Sequence, residues 1–278
     1  MEREPGGGRP RQPRWHGWQG NPDDLWRPMD AGAPRPGRQP AGRDRDRARP
    51  RLSREEIVDA AIAIADAEGA EALSMRRIAQ VLQAGTMSLY WHVSSKEHLL
   101  ELMRDMLMAE IEVPAPSGDW RADLRALAVS SRAMLSRHRW LMNFVGGRPP
   151  LGPSTLLILE ESLALVRPLR LDPAGEIGIL TAVNTYVNGT VLQETQEIST
   201  VEAEQQARAV GLRQALRERQ EWRDRLAGTG IFPNVVRFLD SGIDPDAAET
   251  RDVRFEFGLD CLLDGIAARI ASRDSSPA

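Results

Sequence analysis

The chain has 278 residues, 41% of them hydrophobic, and a formal net charge of -4. That is enough apolar material for one large or two modest packed domains, which excludes a purely structural peptide, and a pI near 5.7 argues against a general polyanion binder. The only cysteine, Cys261, rules out an intrachain disulfide, and no uncharged run approaches the ~20 residues a membrane span needs. A cytoplasmic protein with no membrane partner is expected.

Residues 1–50 hold 9 Pro and 8 Gly, a composition that predicts a disordered arm. Trp15, Trp18 and Trp26 in it read equally as docking residues or as chance, and a start at Met29 is an alternative beginning. The arm ends in Arg43, Arg45, Arg47, Arg49, Arg51 and Arg54 against Asp44 and Asp46. Such a run supplies phosphate contacts or is simply a solvated stretch.

From Arg51 the pattern turns to helical periods, with no convincing alternation of two, so the fold class is all-α. Ser53 and Glu56 are spaced as a capping box before Ile57, Ala60, Ala61, Ile64 and Ala65, with Gly69 as a stop. Ser74 caps a second helix with Met75, Ile78, Ala79 and Leu82 inward and Arg76, Arg77 and Gln80 outward. After the turn Gln83-Ala84-Gly85, a third helix over Thr86–Val93 presents Leu89 and Val93 to the core. Ser94 or Ser95 opens a fourth, and Ser94 and Glu97 have capping-box spacing. Two short helices joined by a tight turn are either a helix-turn-helix or an ordinary corner between packed helices.

The run "LSREEIVDAAIAIADAEGAEALSMRRIAQVLQAGTMSLYWHVSSKEHLLELM", Leu52–Met103, resembles the DNA-binding domain of the tetracycline-repressor (TetR) family. It does so through its capped first helix, "ALSMRRIA", "MSLYWHV" and "SKEHLL". The resemblance implies a DNA-binding head over 51–112 and an all-α effector-binding and dimerisation domain over 119–275. It implies that Arg76 reaches bases or adjacent phosphates, that Thr86 and Met87 face base edges, and that Ser88, Tyr90, Trp91, His92 and Lys96 touch the backbone. Such backbone contacts position a protein, whereas base contacts specify sequence. Tyr90 also reads as a core residue. Where the family carries Gly in the turn, this chain has Gln83, at a cost of about 1 kcal/mol if left-handed geometry is required there; the turn is expected to survive, since Gly85 follows closely.

Beyond a linker at Pro114, Pro116 and Gly118, helical patterns run over about 119–137, 139–145, 154–167, 173–198, 201–226, 232–240 and 251–272. Phe255, Leu259, Leu262 and Ile266 fall on one stripe of the last, which reads as a homodimer interface or an intrachain core; Gly258 and Gly265 would permit close approach of a helix. Trp140 and Phe144 are candidate walls of an effector pocket, with Asn184 and Asn188 as its polar contacts; each is also plain packing. His92 and His98 lack the spacing of helical metal ligands, and no motif joins His138 to Glu160 or Glu161, so neither metal nor cofactor is expected. The chain carries no P-loop, GxSxG or HExxH motif. The reading is therefore not an enzyme but a regulator that binds a double-stranded DNA operator and an unknown small molecule; an all-α enzyme and a sequestering protein are the rivals.

Overall fold

In the computed structural model the residues described are 52–144, 152–208, 212–244 and 247–274; the arm over 1–50 lies outside them. Among the described residues the fold is all helical, and none of its helices is long and apolar enough to cross a membrane. Residues through Thr181 form one compact unit and those from Ala182 a second.

The first unit begins with α1 (Arg54–Glu68), α2 (Met75–Val81), α3 (Thr86–Tyr90) and α4 (Lys96–Met108). The capping box at the start of α1 is formed in both directions: Glu56 N–H donates to Ser53 Oγ (3.1 Å) and Ser53 N–H donates to the Glu56 carboxylate (2.8 Å). Ile57, Val58, Ala61, Ile64 and Ala65 bury one face of α1. Gly69 closes the helix at φ 85°, a conformation suited to glycine. Ser74 caps α2 through Arg77 N–H.

The turn after α2 is where the departure from the family pattern has its consequence. Ala84 N–H bonds back to Ala79 C=O (2.9 Å) and Gln83 N–H to Gln80 C=O (3.2 Å), the paired bonds of a Schellman ending. The residue that must turn left-handed in that motif is Gln83, at φ 51°. The turn survives as expected, but Gly85 takes no part in the left-handed step: it is extended, φ -75°, and serves as the N-cap of α3.

Helix α3 is shorter than its pattern suggested, ending at Tyr90, with Trp91 and His92 in the following turn. Leu89 and Val93 are both fully buried and anchor it as expected. The cap of α4 is Ser95, whose hydroxyl accepts His98 N–H (3.1 Å); a Ser94–Glu97 box does not form, because Ser94 Oγ instead lies 3.0 Å from His98 Nδ1.

The unit continues through α5 (Trp120–Arg137), a 3-10 segment (Arg139–Phe144) and α6 (Pro153–Val166). The linker is tied down at two points: Glu112 N–H donates to Ser130 Oγ (2.7 Å) and Ser117 N–H to the buried Asp123 carboxylate (3.0 Å). Helix α7 (Pro173–Arg208) is continuous across 198–201, where a break was expected.

The second unit holds the later part of α7 with α8 (Leu212–Thr229), α9 (Pro233–Asp240) and α10 (Ala248–Asp274). Val183, Val187 and Val191 of α7 are buried, as are Phe255, Leu259 and Leu263 of α10. Gly258 lets the two helices meet: a Cβ there would stand 2.4 Å from the Tyr186 hydroxyl, which donates to Phe255 C=O (2.8 Å). Gly265 has open space around it. Helices α8 and α9 are joined by Arg223, which grips both Asp240 oxygens (2.8 and 2.6 Å).

Candidate nucleic-acid interface

On a helix of five residues only a few side chains can face out, and their burial divides sharply. Leu89 is inside, Thr86 is half-buried, and Met87, Ser88 and Tyr90 are exposed, with Trp91 just beyond. Met87 is 75% exposed and Trp91 72%. Large apolar side chains standing together in water mark a contact surface rather than a packing surface. Tyr90 is 42% exposed, which settles its orientation: it is not a core residue.

Charge completes the patch. Arg77 is drawn back to Glu68 on α1 (2.6 Å), whereas Arg76, one residue earlier, is exposed and makes no ion pair among the described residues. Lys96, exposed in the first turn of α4, likewise has no ion-pair partner among them. His92 is half-buried between Trp91 and the buried Val93. The structure thus brings Met87, Ser88, Tyr90, Trp91, Arg76 and Lys96 to the surface of one small subdomain. An α-helix of this size fits a major groove, aromatic and serine groups can bond phosphate, and free cations release counterions.

Two ties connect the head to the helices that follow, and neither was legible beforehand. Asp105, buried on α4, accepts Ser154 N–H (3.1 Å), Thr155 N–H (2.9 Å) and the Thr155 hydroxyl (2.8 Å) at the start of α6. Gly152, the N-cap of α6, has no side chain to offer, so Asp105 caps that helix from another element. A carboxylate among Leu102, Met103 and Leu107 was the available signal, since a buried charge demands a partner.

The second tie is His138, 4% exposed at the C-cap of α5. Its Nδ1 lies 2.8 Å from Asp66 Oδ1 on α1 and its Nε2 3.3 Å from Glu110 Oε2 just past α4. Arg137 also pairs with Glu110. Burial pulls the His138 ring down, but the two carboxylates outweigh it and raise its pKa above the ordinary value. The hydrogen bond from His138 lowers the Glu110 carboxyl in turn, against its own burial.

That cluster recasts the expected effector residues. Trp140 donates its indole N–H to the same Asp66 oxygen (2.7 Å) and packs edge-on against Phe144, centroids 6.2 Å apart. Its polar atom is committed to the joint, not to a ligand. Of the expected polar contacts, Asn184 is exposed and Asn188 half-buried within one chain. A cavity of about 410 Å³ opens between α8 and α9, lined by Leu226, Phe232, Pro233 and Val236 among others, and none of the expected residues lines it.

The expected dimer stripe divides by burial. Phe255 and Leu259 are 1% and 0% exposed within one chain and have no surface left for a partner. Leu262 and Ile266 keep partial exposure. The apolar surface of α10 is on its far side, at Val253 (68% exposed) and Phe257 (70%), next to the exposed Cys261.

A helix-turn-helix head with an apolar and cationic outer face, carried on an all-helical body, is the build of a DNA-binding regulator. Residues 57–103 match the bacterial regulatory proteins of the tetR family, and residues 113–270 match the tetracyclin repressor-like C-terminal domain. The chain belongs to the TetR family of transcriptional regulators. It is similar to the HTH-type transcriptional repressor DrrR1 of Streptomyces coeruleorubidus, 36% identical over 239 residues spanning 82% of this chain and 83% of that one. Apo ActR from Streptomyces coelicolor superposes with a TM-score of 0.63 at 30% identity, covering 81% of this chain and 100% of ActR. ActR in complex with actinorhodin gives 0.59 at 32% identity over 79% and 98% of the two chains.

Proposed function

We propose that this regulator is a cytoplasmic, non-enzymatic repressor that binds a palindromic operator as a homodimer and releases it when a small molecule enters its C-terminal domain. The observation that carries the reading is that Met87, Tyr90, Trp91, Arg76 and Lys96 are all exposed on one helical subdomain, with no ion pair to either cation among the described residues. In this reading Thr86, Met87 and Arg76 read base edges. Ser88, Tyr90, Trp91, His92 and Lys96 hold the phosphates, so sequence choice rests on the smaller set. Two heads on one dimer span half-sites about 34 Å apart, which a single short recognition helix cannot do.

The partner surface in this reading is the outer side of α10, through Val253 and Phe257, rather than its buried stripe. Small-molecule control requires different affinity for the two conformations of the dimer. Likeness to ActR, solved with actinorhodin, supports an effector of that kind.

In vitro selection from random-sequence duplex tests the function, with binding then measured at about 150 mM salt, where non-specific contacts are weakened. An enriched palindrome bound in the nanomolar range supports the reading, with Lys96→Ala reducing the salt slope by about 0.9 and Arg76→Ala costing about 1–3 kcal/mol and relaxing selectivity. No enriched sequence, or undiminished binding by both variants, overturns it.

A further inference from the structure

The head and the helices behind it meet at a buried ring whose two nitrogens both face carboxylates. A neutral imidazole has one N–H and one lone pair, so it can satisfy only one of two such acceptors; a doubly protonated ring satisfies both. Asp66 belongs to α1 and Glu110 to the segment after α4, while His138 belongs to the end of α5. Three separate elements therefore converge on one side chain. Trp140 adds a third element-to-element bond by sharing the Asp66 oxygen.

Resting on the reading of the chain as a DNA-binding regulator, we infer that His138 is a positioning residue of the DNA-binding head. As a monocationic double donor in its doubly protonated form, it pins α1 and the end of α4 to α5, so that loss of one ring proton frees the head and weakens operator binding. The groups acting on the ring are Asp66 from α1 and Glu110 from beyond α4, with Arg137 reaching it only through Glu110. The tie is asymmetric. The Asp66 side chain is 32% exposed and its share is screened by solvent, whereas Glu110 is 17% exposed.

The sign follows from linkage. A ring whose folded pKa is raised contributes its full stabilisation below the unfolded value near 6.5, and that contribution fades as pH climbs through the raised folded value. The clamp is therefore closed below the unfolded value and opens as pH rises through the raised folded one. Glu110, held low, remains an acceptor throughout that window.

The experiment uses the full-length dimer with 15N-labelled histidine. Ring nitrogen spectra are followed over roughly pH 5.5–9.5, the His138 signals identified by their loss in His138→Gln. A midpoint above that of a free imidazole, lowered in both Asp66→Asn and Glu110→Gln, is the expected result. Amide exchange over 62–68 and 107–111, corrected for intrinsic chemistry, should rise in step with that titration in wild type and be high at every pH in His138→Gln.

The affinity for the selected duplex should fall about tenfold more across the midpoint in wild type than in His138→Gln. His92 is present in both proteins, so its contribution cancels in the comparison. If His138→Gln does not fold, Asp66→Asn, at the more exposed partner, carries the same comparison. A midpoint at or below about 6.5, or exchange indifferent to it, overturns the clamp. Absence of any selected duplex overturns the regulator reading but leaves the ring and exchange results intact.

Discussion

Removing Asp105 should be among the most damaging single changes in the first unit. The carboxylate is buried, at 3% exposure, and receives two backbone N–H groups and a hydroxyl at the start of α6. Asp105→Ala leaves those donors without an acceptor, and Gly152 cannot replace it. Loss of a cap costs about 0.5–2 kcal/mol, and each buried donor stranded by it adds about 1–3 kcal/mol unless water reaches it. Ser154 is buried and Thr155 half-buried, so water can rescue one side only, and the sum is about 3 kcal/mol. Asp105→Asn keeps one acceptor oxygen but turns an NH2 toward a donor, for about 1–2 kcal/mol.

Urea unfolding followed by far-UV circular dichroism, at a fixed protein concentration because the stability of any oligomer depends on it, measures both values. Amide exchange should show the loss first at the start of α6 and in the second half of α4. A cost for Asp105→Ala below about 0.5 kcal/mol, the range of an ordinary surface substitution, would falsify the assignment of Asp105 as the cap.

Gln83→Gly should stabilise the head slightly, by about 0.5 kcal/mol, because relief of a left-handed residue (about 1 kcal/mol) exceeds the added freedom of the unfolded chain. Chemical denaturation that instead finds Gln83→Gly costing more than that gain would mean Gln83 makes a contact worth more than its strain. Gly258→Ala should cost about 1–3 kcal/mol by driving a methyl against Tyr186, although alanine is the better helix former. The same change in a Tyr186→Phe background, where the nearest atom is gone, should cost measurably less; equal costs refute the clash. Phe257→Asp should convert the dimer to monomer in analytical ultracentrifugation at micromolar concentration. Phe255→Asp should unfold the second unit, and a folded monomer from Phe255→Asp would restore the buried stripe as the interface.

Much of this protein was readable in one dimension because the relevant physics is local. Capping at Ser53 and Ser74, the stop at Gly69, the inward Leu89 and Val93, and the order of the helices depend on residues within a turn or two of each other. The cost at Gln83 was equally local, since it concerns one residue's own φ. Tertiary structure decided whatever depended on which residues meet from far apart in the chain. Periodicity placed Phe255, Leu259, Leu262 and Ile266 on one stripe, but a stripe has no label saying whether it faces its own chain or a second one. Only the packing of the chain shows that Phe255 and Leu259 are already enclosed and that Phe257 is not. In the same way Trp140, read as a pocket wall, and His138, to which no motif gave a partner, became parts of a joint only when folding brought Asp66 and Glu110 to them, His138 lying 72 and 28 positions away in sequence. Charge pairs of that separation leave no periodic trace, so their partners are set by the fold and not by the pattern.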